Sequence, residues 1–199
     1  AYLAFYAGRM RLSLASFTCA LFALITGAVS LRTKGVYFIM ITMAFSQMIY
    51  FIFLSLEEYG ADDGLVIYAR SEFPIWMNME GAVSLYYWIF GLLILTLFFI
   101  HRLVRSRFGR VIIGSKYNDL RMQSLGFNTY GYRLTCYVIS AVICGLAGVL
   151  LGNFTSFISP EMMSWTRSGE LIFMVIIGGA GSLFGALFGA LSFLFVEDA

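Results

Sequence analysis

Residues 83 to 100 read Val-Ser-Leu-Tyr-Tyr-Trp-Ile-Phe-Gly-Leu-Leu-Ile-Leu-Thr-Leu-Phe-Phe-Ile, a run without a single charge between two long polar stretches of opposite character. Before it, residues 57 to 82 carry Glu57, Glu58, Asp62, Asp63, Glu72 and Glu80 against Arg70 alone. After it, residues 101 to 133 carry Arg102, Arg105, Arg107, Arg110, Lys116, Arg121 and Arg133 against the single acid Asp119. As a helix the uncharged run is long enough to cross a hydrocarbon core of roughly 30 Å. Lys and Arg bias the orientation of membrane helices, so the 101 to 133 loop belongs in the cytoplasm and the 57 to 82 loop on the far side.

Composition agrees with a membrane protein throughout. With 60% hydrophobic and 12% charged residues and a mean hydropathy of +0.85, the chain lacks the polar residues to cover a soluble core. In lipid every backbone N–H and C=O must be satisfied within the protein, which leaves helices or closed barrels. The apolar runs are near-continuous rather than alternating, so the expected class is all-α, a polytopic transmembrane helical bundle. A net charge of +2 gives no reason to expect a nucleic-acid partner. Cys19, Cys136 and Cys144 all fall in apolar runs, and the latter two are about 12 Å apart along one helix, beyond disulfide reach. The start without Met and the end just past an apolar run read as an internal piece of a longer chain, here one transmembrane domain over residues 1–199.

Four further runs complete the pattern. Spans are expected at about 12 to 31, 36 to 56 and 134 to 152, with the first two joined by a tight turn through Arg32-Thr-Lys-Gly35 on the cytoplasmic side. Arg9 and Arg11 then fall outside, against the charge rule. Turn chemistry at Gly60-Ala-Asp-Asp-Gly64 lies in the acidic loop, with Pro74-Ile-Trp76 as an interfacial aromatic. Ser159-Pro160-Glu161 reads as a helix start, with Trp165 anchoring a short interfacial helix. The last run, Leu171 to Val196, is interrupted by Gly178-Gly179-Ala-Gly181-Ser182, and adjacent glycines weaken a helix by about 1 kcal/mol each, so two half-helices are expected there.

Small residues recur at fourfold spacing, at Ala141 and Gly145, at Gly148 and Gly152, and at Gly181, Gly185 and Gly189. Such strips let backbones approach closely where lipid supplies no hydrophobic drive, and a translocation pathway needs the same packing. No ionisable residue lies in the middle of a span, which argues against an ion-coupled engine in these helices. Thr42, Ser46 and Gln47 form the strongest interior polar cluster, serving as interhelical hydrogen-bond partners or as the lining of a solute path. Glu170, at the mouth of the last run, caps a helix start or faces a polar cavity. Enzyme templates fail: neither lysine follows a glycine-rich phosphate loop, His101 sits among arginines at a helix end, and Asp62-Asp63-Gly64 lacks the spaced acids of a calcium loop. No metal site, catalytic residue or cofactor is expected in this chain.

Within the basic loop, residues 115 to 125 can form a short helix that stops at Gly126. Lys116, Asp119 and Arg121 mix its charge, while Val111, Ile112, Met122 and Leu125 give it an apolar side. Either it lies against anionic lipid or it docks in a groove on a cytosolic partner.

Several blocks together resemble the permease subunit of branched-chain amino acid ABC importers, the M-type subunit of the leucine, isoleucine and valine system in particular. They are Leu31-Arg-Thr-Lys-Gly-Val-Tyr-Phe38 with Met40-Ile-Thr-Met-Ala-Phe-Ser-Gln47, Asp62-Asp-Gly-Leu65, Ser106-Arg-Phe-Gly-Arg110, Leu125-Gly126, Ser159-Pro-Glu161, and Gly178-Gly179 through Gly185. The resemblance covers nearly the whole chain. It implies a sister permease subunit, two cytosolic ATP-binding subunits that hold the ATP, and a periplasmic solute-binding protein, in a bacterial inner membrane. It also places the ATPase-coupling helix on 115 to 126, with Asn118, Leu125 and Gly126 matching and Lys116, Asp119 and Arg121 as its charges. Tyr117, Gln123 and Ser124 depart from the family pattern. Relatives of such permeases carry urea or short amides, and a carrier or channel working without ATP is the other reading of the same helices.

Overall fold

The computed structural model describes residues 12–33, 35–55, 65–66, 82–155, 157–179, 181 and 184–197. Arg9, Arg11, Lys34, the turn at Asp62 to Gly64 and the Pro74 to Trp76 stretch lie outside the described residues. Contacts divide the chain into two compact units, residues 1–42 with 64–158, and residues 43–63 with 159–199.

The first unit is built on two antiparallel helices. Helix α1 (Leu12–Ser30) ends where Thr33 folds back, its N–H and hydroxyl both donating to the Ser30 carbonyl. Gly35, at φ +66°, turns the chain into α2 (Val36–Ser55), a conformation that costs a glycine nothing. The chain turns at residues 31 to 35 as expected, but α1 and α2 do not pack on each other as a hairpin, and α2 from residue 43 onward belongs to the second unit. Helix α1 packs on α6 (Thr129–Thr155). The register is fixed by three approaches: the Tyr130 hydroxyl donates to the Ala28 carbonyl at 2.8 Å, a Cβ on Gly27 would meet the Tyr137 ring at 2.7 Å, and a Cβ on Gly145 would fall against Cys19. Rising α1 numbers meet falling α6 numbers, so the 31 to 35 turn and the start of α6 share one end.

The opposite end of α6 carries a small two-stranded pairing. β1 (Leu65–Val66) runs antiparallel to β2 (Phe157–Ile158), with Leu65 opposite Ile158 and Val66 opposite Phe157. A piece of the acidic loop therefore sits at the far end of α6 from the basic loop. Helix α3 (Ala82–Arg105) spans 24 residues, about 36 Å. It outruns the expected end at Ile100 because Arg102 and Arg105 occupy its last turn, where cations favour the negative end of the helix dipole. Helices α3 and α6 are both long and apolar enough to cross a membrane.

Among the described residues the buried apolar core is small: Ala23, Leu85, Val111, Val149 and Leu150. Large apolar side chains such as Leu95 and Phe98 of α3 point outward. That distribution suits lipid, where close backbone contact rather than apolar burial draws helices together. Of the expected small-residue strip, Gly145 makes such a contact and Gly148 has open space beside it.

In the second unit, Ser159 accepts from the Met162 N–H at the start of a 3₁₀ turn, Pro160–Met163. Helix α7 (Trp165–Gly178) and helix α8 (Gly185–Glu197) follow. The last apolar run is thus broken at its glycines, as the sequence predicts. Trp165 opens α7 itself rather than a separate interfacial helix. Glu170 neither caps a helix nor stands at its mouth. With the start set at Trp165, it lies one turn inside and pairs with Arg167 at 2.9 Å.

Candidate functional site

The basic stretch is helical almost throughout and folds into a knuckle on the start of α6. Helix α4 (Arg107–Tyr117) begins at Ser106, whose hydroxyl donates to the Leu103 carbonyl at 2.6 Å and accepts from the Gly109 N–H at 3.3 Å. Gly109 is buried in the elbow between α3 and α4, where a Cβ would run into the Val104 and Leu103 carbonyls. Ser-Arg-Phe-Gly at 106 to 109 is therefore a turn that only a small fourth residue permits.

The single helix expected over 115 to 126 is divided. Asn118, at φ −152°, ends α4 by donating its N–H to the Gly114 carbonyl, and its side-chain oxygen accepts from the Arg121 N–H to start α5 (Asp119–Ser124). Asparagine serves both ends because a short side-chain acceptor replaces the carbonyl that a continuing helix would have offered. Gly114 lets α5 fold close, since its missing Cβ would sit 2.8 Å from the Met122 sulfur.

Helix α5 stops where the sequence places a stop. Gly126, at φ +87°, donates to the Gln123 carbonyl and Phe127 donates to Met122, the paired bonds of a Schellman close. Asn128 then caps α6, accepting from the Gly131 N–H, and the Gln123 amide reaches the Thr129 hydroxyl at 3.2 Å.

Arg133, one turn into α6, ties the knuckle together. Its Nη2 lies 3.1 Å from the Asp119 carboxylate and donates to the Ser115 carbonyl at 3.2 Å, so one guanidinium holds the end of α4 and the start of α5. Ser115 is buried, and the Asp119 and Arg133 side chains are 18% and 31% exposed. Tyr132 adds an apolar clamp, with ring centroids 5.5 Å from Phe108 and 6.3 Å from Phe127. Arg133 also borders a hollow of about 290 Å³ with Leu31, Thr33, Gly35 and Phe38 of the α1–α2 turn.

The outer face of the knuckle is apolar and aromatic. Tyr117 is 85% exposed, Leu120 75% and Leu125 66%, flanked by exposed Lys116 and Arg121. Thus Asn118, Asp119 and Gly126 build the knuckle, while Lys116, Arg121 and Leu125 stand on its surface. Sequence reading missed Ser106, Gly109, Ser115, Tyr132 and Arg133 as its framework. The Gly126-Phe-Asn128 punctuation, a helix stop followed by a helix start, was the signal available for the second half.

The other candidates lie on single elements. Thr42 turns its hydroxyl onto its own helix, donating to the Phe38 and Ile39 carbonyls at 3.0 and 2.9 Å, while Ser46 and Gln47 stand half-buried one turn further along α2. Gly178, Gly185 and Gly189 bring the α7 and α8 backbones together, whereas Gly179, at φ +88°, makes the turn and Gly181 has open space. No group of three or more metal-ligating side chains occurs among the described residues.

Comparison with known proteins decides the family. Residues 4–199 match the model of the branched-chain amino acid transport system permease component. The chain belongs to this family. It is 27% identical to the high-affinity branched-chain amino acid transport system permease protein LivM of Salmonella typhimurium, across 90% of this chain and 48% of that protein. The probable branched-chain amino acid transport permease protein LivM of Methanocaldococcus jannaschii is 28% identical, across 55% of this chain and 34% of that one. A third match, the permease protein LivH of Escherichia coli, is 37% identical across 43% of this chain and 28% of its own length. The chain spans about half the length of the curated LivM proteins of Salmonella typhimurium and Escherichia coli that it matches. No solved structure matches it. The chain is all-α apart from the two-residue strand pair, and the family it belongs to is one of transport permease components.

Proposed function

We propose that the chain is the membrane-spanning core of the M-type permease subunit of an ATP-driven importer for branched-chain amino acids. Its sister permease subunit completes the pathway, cytosolic subunits bind and hydrolyse ATP, and a soluble binding protein delivers the solute from outside. The family match carries the transport reading, and the knuckle carries the proposed route for energy. Helices without ionisable residues at their centres offer no ion-coupled source of work, and the 107 to 126 segment is joined to α3 and α6 and carries an exposed apolar face.

In this reading the basic loop faces the cytoplasm. The α1–α2 turn with exposed Arg32 stands at the same end as the knuckle, and β1 of the acidic loop stands at the other, which agrees with the charge rule. Tyr117, Leu120 and Leu125 then dock in a groove of the ATP-binding subunit, with Lys116 and Arg121 at the rim. Movement of that subunit acts on α4 and α5 together, because Arg133 and Tyr132 fasten both to α6. Helix α6 passes it to α1 through the Gly27–Tyr137 and Gly145–Cys19 contacts. Thr42, Ser46 and Gln47 are placed along the solute path.

The test uses the full-length subunit assembled with its partners in liposomes. Gly126→Val removes the residue that closes α5, and an L side chain at that φ costs about 1–2 kcal/mol. Solute-stimulated ATP hydrolysis is expected to fall while the assembly still purifies intact. Unchanged stimulation and uptake would remove the knuckle from the energy route.

A further inference from the structure

Helix α3 leaves the membrane at a level its own sequence fixes. The uncharged run from Val83 to Ile100 covers about 27 Å as a helix, close to the full thickness of a hydrocarbon core. Exposed Tyr86 and Tyr87 mark one interface, and Arg102 and Arg105 fill the last turn at the other. Those two arginines therefore emerge among lipid headgroups.

The elbow at Ser106 holds two more arginines at the same level. Its hydroxyl closes α3 on the Leu103 carbonyl and opens α4 on the Gly109 N–H. A Cβ on Gly109 would run into the Leu103 and Val104 carbonyls, so the first turn of α4 lies against the last turn of α3. Arg107 and Arg110 belong to that first turn and are kept beside Arg102 and Arg105 rather than carried onward into water. Gly109, Val111 and Ser115 are the buried side of α4, and all four arginines are exposed.

The neighbouring sequence supplies no counter-charge. Residues 81 to 118 contain no Asp or Glu, and the next acid, Asp119, pairs with Arg133 at 3.1 Å. Like charges gathered by a backbone turn repel one another unless an anion lies between them. At headgroup depth the abundant anion is a phosphodiester, and the guanidinium fork matches its oxygens two at a time. Arginine also keeps its stem along apolar surface while its head reaches that layer.

We infer that the α3–α4 elbow is a binding site for anionic phospholipid, whose headgroup is held by Arg102, Arg105, Arg107 and Arg110. The basic stretch then has two faces with separate partners, lipid at the elbow and protein at Tyr117, Leu120 and Leu125. The inference needs only that α3 crosses the bilayer, so it stands or falls apart from the ATP-driven reading.

Photolabelling of the full-length subunit in its native assembly, reconstituted in lipid nanodiscs, tests it. Two photoreactive probes with identical acyl chains are compared, a phosphatidylglycerol and a phosphatidylcholine. Adducts on residues 98 to 113, mapped by mass spectrometry, are expected at least about tenfold more often with the phosphatidylglycerol, and the preference should shrink in high salt. Arg102→Gln or Arg110→Gln alone should lower it by up to about fivefold, and replacing all four arginines by Gln should abolish it. Lys116→Gln with Arg121→Gln, on the other face, should leave it unchanged. Equal yields from the two probes overturn the site, because another protein segment then supplies the counter-charge. A preference that survives the arginine substitutions overturns it as well. Each single variant removes one exposed charge, so the result holds even if the quadruple variant assembles poorly.

Discussion

Arg133→Ala should detach the knuckle from α6 without unfolding the bundle. The substitution removes a 3.1 Å ion pair to Asp119 and a 3.2 Å hydrogen bond to the Ser115 carbonyl. Hydrogen bonds that involve a charged group contribute about 1.5–3 kcal/mol, and solvent at the open edge of this pair brings the combined loss to about 2 kcal/mol. That corresponds to roughly a 30-fold rise in the population with α4 and α5 loosened from α6. Hydrogen exchange on the assembled protein in lipid reads this directly: amides of residues 115 to 127 should exchange faster by about that factor, and those of residues 140 to 150 should not change. Uptake should fall more than ATP hydrolysis, since the partner still binds the knuckle but no longer moves α6. Arg133→Lys should lie between, because an ammonium is a point charge and reaches one of the two acceptors at a time. Unchanged exchange at 115 to 127, or an equal rise along all of α6, would refute the reasoning.

Two other substitutions test close backbone approaches. Gly109→Ala pushes a methyl group into the Val104 and Leu103 carbonyls and should lower stability by about 1–3 kcal/mol, read as a lower melting temperature in detergent. Gly131→Ala, whose Cβ meets only the Asn128 side chain at 3.5 Å, is the matched control and should be near neutral. Gly189→Val should separate α7 from α8 and cut the yield of folded protein, whereas Gly148→Ala, with open space beside it, should not.

The long elements were legible in the sequence because lipid imposes one rule on every span. The uncharged run at 83 to 100, the Arg32 to Gly35 turn and the glycine break after Ile177 each leave a mark that composition alone reveals. Helix ends were less legible. Ile100 looked like an end because charge begins there, yet a helix continues through basic residues once it has left the hydrocarbon. The split at Asn118 was hidden for a related reason: the residues on both sides favour helix, and only the side-chain acceptor at one position redirects the chain. Arg133 was visible as a charge but not as a clasp, since its partners lie 14 and 18 residues earlier and meet it only through two turns. Thr42, Ser46 and Gln47 shared a helix as expected, but sequence could not say that the Thr42 hydroxyl satisfies itself on its own backbone.

The central claim is that a cytosolic ATP-binding subunit grips the exposed face of α5. A photoreactive phenylalanine analogue at Leu120, installed in the full-length subunit within its native assembly, tests this most directly. The account predicts an adduct with the ATP-binding subunit, identified by mass spectrometry, whose yield changes when ATP is added. An adduct confined to lipid, formed while ATP-driven uptake proceeds normally, would contradict it.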